Sequence, residues 1–265
     1  MNQRFGGKIA LIIGGGRGMG RAVAEALAAE VASVVIAART PKHGEDTVAS
    51  LRAAGHDASL VLGDISERAS VKTMIDGAAA LHGRLDIVVQ TAADSVLGQI
   101  KDLPDDSFDY LIRSNVQSVF WVAKDAAPYL SKAQDKGRLI FISSATANRT
   151  YVSGLTAYAS TKAFLNSFAR GLALELAPLN ILVNVIEPGL TASDRLQARM
   201  TPEQIDVMTA NFPIPRACQP SEIASAVLFM ASPEASYVTG ASLLIDGGCS
   251  LVPLNGMSAA IKPTH

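Results

Sequence analysis

Two residues four positions apart, Tyr158 and Lys162, have side chains suited to proton transfer. On a helix this spacing places both side chains on one face, so the lysine ammonium can lie beside the tyrosine phenol. A free phenol titrates near pH ~10, and an adjacent cation lowers its pKa by favouring the phenolate. The pair therefore predicts a catalytic acid or base; the alternative is a solvated helix face, which often carries tyrosine and lysine at the same spacing.

A glycine-rich turn follows the first apolar segment of the chain. It has the sequence Gly-Gly-Gly-Arg-Gly-Met-Gly over residues 14–20, and a helical pattern follows it. Glycines allow a backbone to approach a pyrophosphate, and a helix N-terminus offers free N–H groups and a favourable dipole. The turn predicts a dinucleotide site; a tight strand-to-helix connection without a ligand is the alternative.

Alternating strands and helices must hold these residues in place. Apolar segments typical of buried parallel strands occur at residues 9–13, 33–38, 59–62, 85–89, 138–142, 181–186 and 242–245, with helical patterns between them, the first at residues 21–30. This alternation predicts an α/β fold, a three-layer, Rossmann-type, doubly wound parallel sheet. Residues 190–216 interrupt it, with a helix start at Thr201-Pro202-Glu203, and we interpret them as an insertion over the carboxyl edge of the sheet.

Composition narrows the class of protein. With 265 residues and 18% charged content, the chain suits one domain over residues 1–265, with a substrate-loop insertion at about 190–216 and a C-terminal tail at 249–265. The net charge of −1 gives no electrostatic footprint for nucleic acid. No apolar stretch is long enough to span a bilayer, the N-terminus does not resemble a signal peptide, and no HExxH or CxxC occurs. We expect a cytoplasmic protein without a metal.

Several further motifs appear in a fixed order along residues 8–248. A Ser143-Ser144 pair ends a strand, Asn115 lies in a helix, and Asp246-Gly247-Gly248 stands near the end. Together with the glycine spacing and Tyr-x-x-x-Lys, they resemble the short-chain dehydrogenase/reductase family. The resemblance implies a Rossmann-type sheet of about seven strands, a nicotinamide cofactor, and a homo-oligomer, either a tetramer or a dimer.

The resemblance also implies catalytic roles. Tyr158 would be the general acid in ketone reduction and the base in alcohol oxidation, and Ser144 would hold the same oxygen. Lys162 would lower the pKa of the phenol and bind the nicotinamide ribose. Asn115 would anchor a water that links Lys162 to solvent, or else merely cap or bridge helices. Ser143 is a weaker candidate than Ser144, and Thr146 is weaker still.

The predicted cofactor-binding residues surround the strand ends. They are Gly14, Gly16, Arg17, Gly18, Met19, Gly20, Arg39, Asp64, Ile65, Ala92, Ala93, Tyr158, Lys162, Pro188, Gly189, Thr191 and Ser193. Asp64 would accept a hydrogen bond from the adenine amino group, a role compatible with helix capping.

Charge at the end of the second strand indicates whether the cofactor carries a 2′-phosphate. An acidic residue there usually binds the ribose diol of NAD(H), but this chain has Ala38 followed by Arg39. Arg17 adds a second guanidinium, and guanidinium groups pair bidentately with phosphate. We therefore predict NADP(H); if both arginines are ordinary surface charges, NAD(H) remains open.

The chain departs from the family at two places that normally touch. Ile13 replaces the usual threonine before the glycines, and Gln90-Thr91-Ala92-Ala93 replaces Asn-Asn-Ala-Gly. The paired change predicts repacking, while Ala93 in a left-handed backbone would be strained. These departures keep open a second class, a nucleotide-binding sensor or scaffold with little turnover.

The substrate pocket is expected at residues 93–96, 145–151 and 190–212. These residues are apolar or small and polar, which favours a neutral or weakly polar ketone or secondary alcohol. Asp135 and Leu179 stand where similar ketoacyl reductases carry their carrier-binding arginines, which disfavours an acyl-carrier substrate. Asp194, Arg195 and Arg199 are interpreted as solvated helix charges.

Overall fold

Seven parallel strands form one sheet in the order β3-β2-β1-β4-β5-β6-β7. The structure is a computed structural model that describes residues 4–252, so most of the predicted C-terminal tail lies outside the described residues. The strands are β1 Ile9–Ile13, β2 Ser33–Ala38, β3 Ala58–Leu62, β4 Ile87–Gln90, β5 Gly137–Ile142, β6 Ile181–Pro188 and β7 Ser242–Ile245. The predicted Rossmann-type sheet is confirmed.

Helices cover both faces of this sheet. They are α1 Gly18–Ala29, α2 Pro41–Ala53, α3 Arg68–Ala80, α4 Asp105–Leu111, α5 Ser118–Leu130, α6 Thr156–Leu176, α7 Asp194–Gln197, α8 Pro202–Thr209 and α9 Pro220–Ala231, and a π-helical segment, Ile112–Gln117, joins α4 to α5. Among the described residues, no helix is both long and apolar enough to cross a membrane.

Continuous apolar sequence produces strands that are buried on both faces. All five residues of β1 are buried, with Ile9, Leu11 and Ile13 in one core cluster and Ala10 and Ile12 in the other. Successive side chains of a strand point to opposite faces, so β1 packs against both helical layers at once.

Five elements have boundaries that differ from the sequence prediction: β3 and β5 begin one residue earlier, β6 ends two residues later, and the larger differences are in α1 and β4. Helix α1 begins at Gly18 instead of residue 21, because its N-cap, Arg17, makes no side-chain capping bond that would mark the start in the sequence. Strand β4 covers Ile87–Gln90 instead of residues 85–89, because its ladder follows the partners on β1 that begin at Ala10.

The sheet provides a crevice where the chain reverses its direction of winding. Strand β1 pairs with β2 on one side and with β4 on the other, which makes the β1/β4 boundary the topological switch point. Ligands of such sheets bind outside the carboxyl ends of the strands at this point. The insertion at residues 190–216 folds as α7 and α8 beyond β6, and Thr201 and Gln204 form the capping box that starts α8.

Candidate active site

One cavity of about 600 Å³ extends along the carboxyl ends of the strands. Every residue predicted from the sequence to bind cofactor lines this cavity, as do Ser144, Tyr158 and Lys162. Asn115 instead lines a separate space of about 10 Å³ beneath Lys162. The fold therefore brings the glycine turn and the Tyr-x-x-x-Lys pair, far apart in the sequence, to one cavity.

The glycine turn is close enough to its neighbours that side chains would not fit. Gly14 has φ +94°, and a Cβ on Gly20 would lie 2.1 Å from the carbonyl oxygen of Gly14. Helix α1 starts at Gly18 within the cavity wall, so its first N–H groups belong to the cavity edge. This is the geometry of an anion site at a helix N-terminus.

Thr91 makes the contact that Ile13 cannot make. Its Oγ1 donates to the carbonyl oxygen of Ile13 at 3.0 Å, and the backbone N–H groups of Thr91 and Ala92 donate to the same oxygen at 2.9 Å. A hydroxyl on the β4 side thus ties the residues after β4 to the end of β1. Repacking relative to the family stays a prediction.

The strain predicted at Ala93 is wrong. Among the described residues, only Val31 and Asn180 combine a side chain with a positive φ. Ala93 therefore has no left-handed backbone that would require glycine. Its carbonyl oxygen accepts a hydrogen bond from Nη2 of Arg195 at 3.1 Å, which ties this loop to the insertion.

The Asn115 amide connects the loop after β4 to helix α6. Its Nδ2 donates to the carbonyl oxygen of Asp94 at 2.8 Å and to Thr161 Oγ1 at 3.1 Å, while its Oδ1 accepts from the N–H of Asp94 at 2.9 Å. It lies in the π-helical segment, a feature often found at functional sites. The structure shows the bridging role that the sequence left open; anchoring of a relay water stays a prediction.

Tyr158 and Lys162 share one face of α6, as their spacing predicts. The Nζ of Lys162 lies 5.8 Å from the centroid of the Tyr158 ring and donates to the carbonyl oxygen of Ile142 at 2.9 Å. Lys162 is only 4% exposed. Burial, assisted by the nearby Arg195 guanidinium, lowers the pKa of Lys162 to about 7.

The pKa of Tyr158 is raised, not lowered as the sequence predicted. Burial of the phenol is the main cause, and the Ser144 hydroxyl and the positive charge of Arg195 oppose it. The Lys162 ammonium donates to the carbonyl oxygen of Ile142, and burial lowers the pKa of Lys162 itself. Arg195, the cation that opposes the rise in the pKa of Tyr158, belongs to the insertion.

The structure separates the two serines at the end of β5. Ser143 Oγ donates to the carbonyl oxygen of Lys162 at 3.3 Å. Ser144 Oγ lies 2.8 Å from Oγ1 of Thr146 and close enough to Tyr158 to influence its titration. Ser144 therefore lies beside Tyr158 at the cavity, and its role in orienting a carbonyl oxygen stays a prediction.

Arg39 and Arg17 both belong to the cavity wall. Arg39 Nη1 donates to the hydroxyl of Tyr110 at 2.7 Å and lies 3.7 Å from carboxylate oxygens of Asp64 and of Asp94. Its side chain is 56% exposed, so a phosphate can reach it. Asp64 also accepts from the N–H and hydroxyl of Ser66, so it holds the local turn as well as facing the cavity.

The segment after β6 closes the other side of the cavity. A Cβ on Gly189 would lie 2.8 Å from Cα of Asp246, so only glycine fits there. The Thr191 hydroxyl donates to the carbonyl oxygen of Gly189 at 3.2 Å, and Ser193 Oγ caps α7 by accepting from the N–H of Leu196. Both hydroxyls thus have local partners at the cavity edge.

The substrate end differs from the sequence prediction. Residues 145–151 do not line the cavity, and residues 145–147 form a 3₁₀ turn capped by Ser144. Asp194, Arg195 and Arg199, interpreted from the sequence as solvated helix charges, also line the cavity, and Arg199 lies beyond the end of α7. Asp94 falls within the predicted pocket segment 93–96 and lines the cavity, but the sequence pattern gives it no role of its own.

The chain is similar to known oxidoreductases over nearly its whole length. A family model described as enoyl-(acyl carrier protein) reductase matches residues 14–250. Elsinochrome reductase 1 of Elsinoe fawcettii is 32% identical over 261 residues, which cover 94% of this chain and 97% of that protein.

Two solved structures are similar to this chain in three-dimensional structure. A 7α-hydroxysteroid dehydrogenase complexed with NADH and 7-oxo glycochenodeoxycholic acid has a TM-score of 0.88 and 34% identity, and the match covers 93% of this chain and 96% of that one. A short chain dehydrogenase from Burkholderia cenocepacia in complex with NADP has a TM-score of 0.87 and 32% identity, covering 94% and 100%. The two relatives hold different nicotinamide cofactors.

Proposed function

Because this chain belongs to the short-chain dehydrogenase/reductase family, we propose that it is an NADP(H)-dependent oxidoreductase that interconverts a ketone and a secondary alcohol. The observation that carries the proposal is that Ser144, Tyr158 and Lys162 line the same cavity as the glycine turn. A nucleotide on the turn and a carbonyl oxygen at Tyr158 would then share one enclosed space.

The chain's own residues fit a nicotinamide cofactor. The turn at Gly14 and Gly18 would hold the pyrophosphate, and Pro188 and Gly189 would lie beside the nicotinamide, where the bound cofactor supplies or accepts hydride. Negative charge developing on the carbonyl oxygen requires a donor, and the Tyr158 hydroxyl would give its proton there.

Ser144 would hold the same oxygen by a second hydrogen bond. Its position beside Tyr158 allows both hydroxyls to approach one acceptor. In the oxidative direction Tyr158, as the phenolate, would take the proton from the alcohol hydroxyl. Lys162, whose pKa is about 7, would be able to exchange a proton near neutral pH and so help restore the proton on Tyr158.

Turnover assays on wild type and Tyr158→Phe test this assignment. NADPH oxidation is followed spectrophotometrically with cyclic, aryl and acyl ketones, and NADPH binding is measured separately. We expect Tyr158→Phe to lose at least about a hundredfold in kcat while binding NADPH normally, because only the proton donor is removed. Binding without turnover by wild type across all ketones and alcohols would contradict the proposal and indicate a sensor.

The preference for NADP(H) is supported by charge. Ala38 brings no carboxylate to the cavity, whereas Arg17 and Arg39 bring two guanidinium groups. We expect Arg39→Ala to weaken NADPH binding at least about tenfold and NADH binding little, since only NADPH offers a 2′-phosphate. Arg21→Ala, which breaks an exposed ion pair with Glu25 outside the cavity, is the matched control. Equal effects of Arg39→Ala on both cofactors would refute the phosphate argument.

We further propose that residues 1–265 act as one domain in a cytoplasmic homo-oligomer, a dimer or tetramer. The family match over residues 14–250 and the single sheet support the domain assignment. Residues 190–216 would serve as the substrate loop, because α7 and α8 both contribute to the cavity wall. Analytical ultracentrifugation of the full chain measures the oligomer, and a monomer at micromolar concentration would contradict this part of the proposal.

A further inference from the structure

Two arginines of the insertion converge on one serine at the substrate end of the cavity. Arg195 Nη1 donates to Ser95 Oγ at 3.2 Å, and Arg199 Nη1 donates to the same oxygen at 3.4 Å. Arg199 Nη2 also reaches the carbonyl oxygen of Ser95 at 3.4 Å. The two arginines are four residues apart across the end of α7, so they present their side chains on one side.

Nearby carboxylates do not balance this positive charge. Asp94 lies 3.3 Å from Arg195, but the same carboxylate accepts from the Tyr110 hydroxyl at 2.6 Å and lies 3.7 Å from Arg39. Within residues 4–252, Arg199 has no carboxylate within ion-pair distance.

The two guanidinium groups disfavour each other. Burial first, and then the neighbouring charge of Arg195, lower the pKa of Arg199, and the negative charge of Asp94 only partly opposes them. Like charges held together in a partly enclosed site are unfavourable unless an anion joins them. A third participant of negative charge would therefore be stabilised between these two side chains.

We propose that Arg195 and Arg199 bind a carboxylate on the substrate, so that the enzyme prefers acidic ketones over neutral ones. A guanidinium matches the two oxygens of a carboxylate, and two guanidinium groups beside Ser95 give such a group more donors than it needs. The inference rests on the proposed function, and it replaces the neutral substrate expected from the sequence. The carbonyl would lie at Tyr158, on the wall of the same cavity.

The phosphates of the cofactor are a less suitable occupant of this site. The pyrophosphate has its own helix N-terminus at the glycine turn, and the 2′-phosphate has Arg39 and Arg17. The partners of Arg195 and Arg199, by contrast, are residues 93–95 near the start of the loop after β4. Arg195 shares the Asp94 carboxylate with Arg39, whereas the hydrogen bonds of Arg199 within the described part of the chain go to Ser95 alone.

A pair of ketones that differ only in charge tests the proposal. The probes are para-acetylbenzoate, which is an anion, and para-acetylbenzamide, which is uncharged and of similar size. Their dissociation constants are measured by calorimetry on the full chain with saturating NADP⁺, so that neither ketone is turned over. The first variant is Arg199→Met, which retains an unbranched side chain but removes the charge. The matched control is Arg21→Met on the outer surface of α1.

We expect wild type and Arg21→Met to bind the benzoate about tenfold to a hundredfold more tightly than the benzamide. Arg199→Met is expected to lose most of this preference while binding the benzamide as wild type does. Equal affinities in wild type, no binding of either probe at millimolar concentration, or an unchanged preference in Arg199→Met would overturn the proposal. So would a loss of NADP⁺ affinity in Arg199→Met, because that result would assign the arginines to the cofactor.

The reductase function has a separate readout. NADPH oxidation with para-acetylbenzamide depends on Tyr158 and not on the charge of the substrate. If wild type reduces the benzamide but shows no preference for the benzoate, the proposed function stands and the carboxylate site fails. If it binds the benzoate selectively but reduces neither ketone, the site stands and the proposed function fails.

Discussion

Replacing the buried Lys162 by methionine should stabilise the folded chain at neutral pH. Lys162 is 4% exposed, and its pKa falls from 10.5 to about 7 on folding. An unfolded lysine keeps its proton up to about pH 10, so between these two values the unfolded state binds more protons than the folded state. The free energy of unfolding of wild type therefore rises with pH across this window, and at lower pH the folded state bears the whole cost of burying the charge.

The size of the effect follows from the same two values. At about 1.4 kcal/mol for each pH unit, the difference between a pKa of 10.5 and a pKa of about 7 corresponds to about 5 kcal/mol. Methionine removes this cost, but it also removes the hydrogen bond from Nζ to the carbonyl oxygen of Ile142, a loss of about 1–3 kcal/mol. We therefore expect the free energy of unfolding of Lys162→Met to exceed that of wild type by about 2–4 kcal/mol near pH 7. This difference should shrink towards about pH 10.

Urea unfolding at several pH values measures this difference. Trp121, the one tryptophan of the chain, packs against the core and reports unfolding by its fluorescence. Protein concentration is held constant, because association would shift the apparent stability. Lys42→Met, which alters an exposed lysine paired with Asp46, serves as the control for a lost surface charge. The reasoning is refuted if Lys162→Met is less stable than wild type near pH 7, or if the difference does not change with pH.

Two further predictions concern the glycine turn. Thr91→Val removes the hydroxyl bonded to Ile13 and should lower the free energy of unfolding by about 1 kcal/mol in urea titrations, whereas Thr91→Ser should cost less; equal losses would contradict the role of the hydroxyl. Gly20→Ala places a Cβ 2.1 Å from the carbonyl oxygen of Gly14, so this variant should have a lower thermal midpoint and should not bind NADPH. Gly171→Ala is the control: the space around its Cβ is open, and its effect on stability should be neutral or slightly favourable. Wild-type NADPH binding by Gly20→Ala would show that the turn does not hold the nucleotide.

The parts of the molecule that the sequence predicts are those with a local physical signal. Strands β1 and β2 begin and end where their apolar segments do, because burial on both faces requires continuous apolar sequence; β7 also matches its predicted range, although its residues are only half-buried. The start of α8 is equally local, since Thr201, Pro202 and Gln204 supply the capping box. The start of α1 has no such local signal, because the side chain of its N-cap residue, Arg17, makes no capping hydrogen bond.

The same distinction separates the residues of the site. Tyr158 and Lys162 are recognisable because four positions on a helix fix their mutual placement. Their titration is not recognisable from that spacing, since it depends on burial and on Arg195, which lies on another element. The sequence therefore predicts which groups meet, and the packing decides their charge.

The carboxylate of Asp94 shows why the substrate end was the least predictable part. Its partners come from the end of β2, from α4 and from α7, where Arg39, Tyr110 and Arg195 stand. Arg39 is recognisable from its place after the second strand, but Tyr110 and Arg195 have no sequence pattern that distinguishes them from solvated side chains on a helix or loop. Their function arises only when the parallel strands bring all carboxyl ends to one edge and α7 folds over that edge. The residues at the substrate end are therefore brought together by long-range contacts, whereas the residues proposed for proton transfer, Tyr158 and Lys162, lie within one short motif.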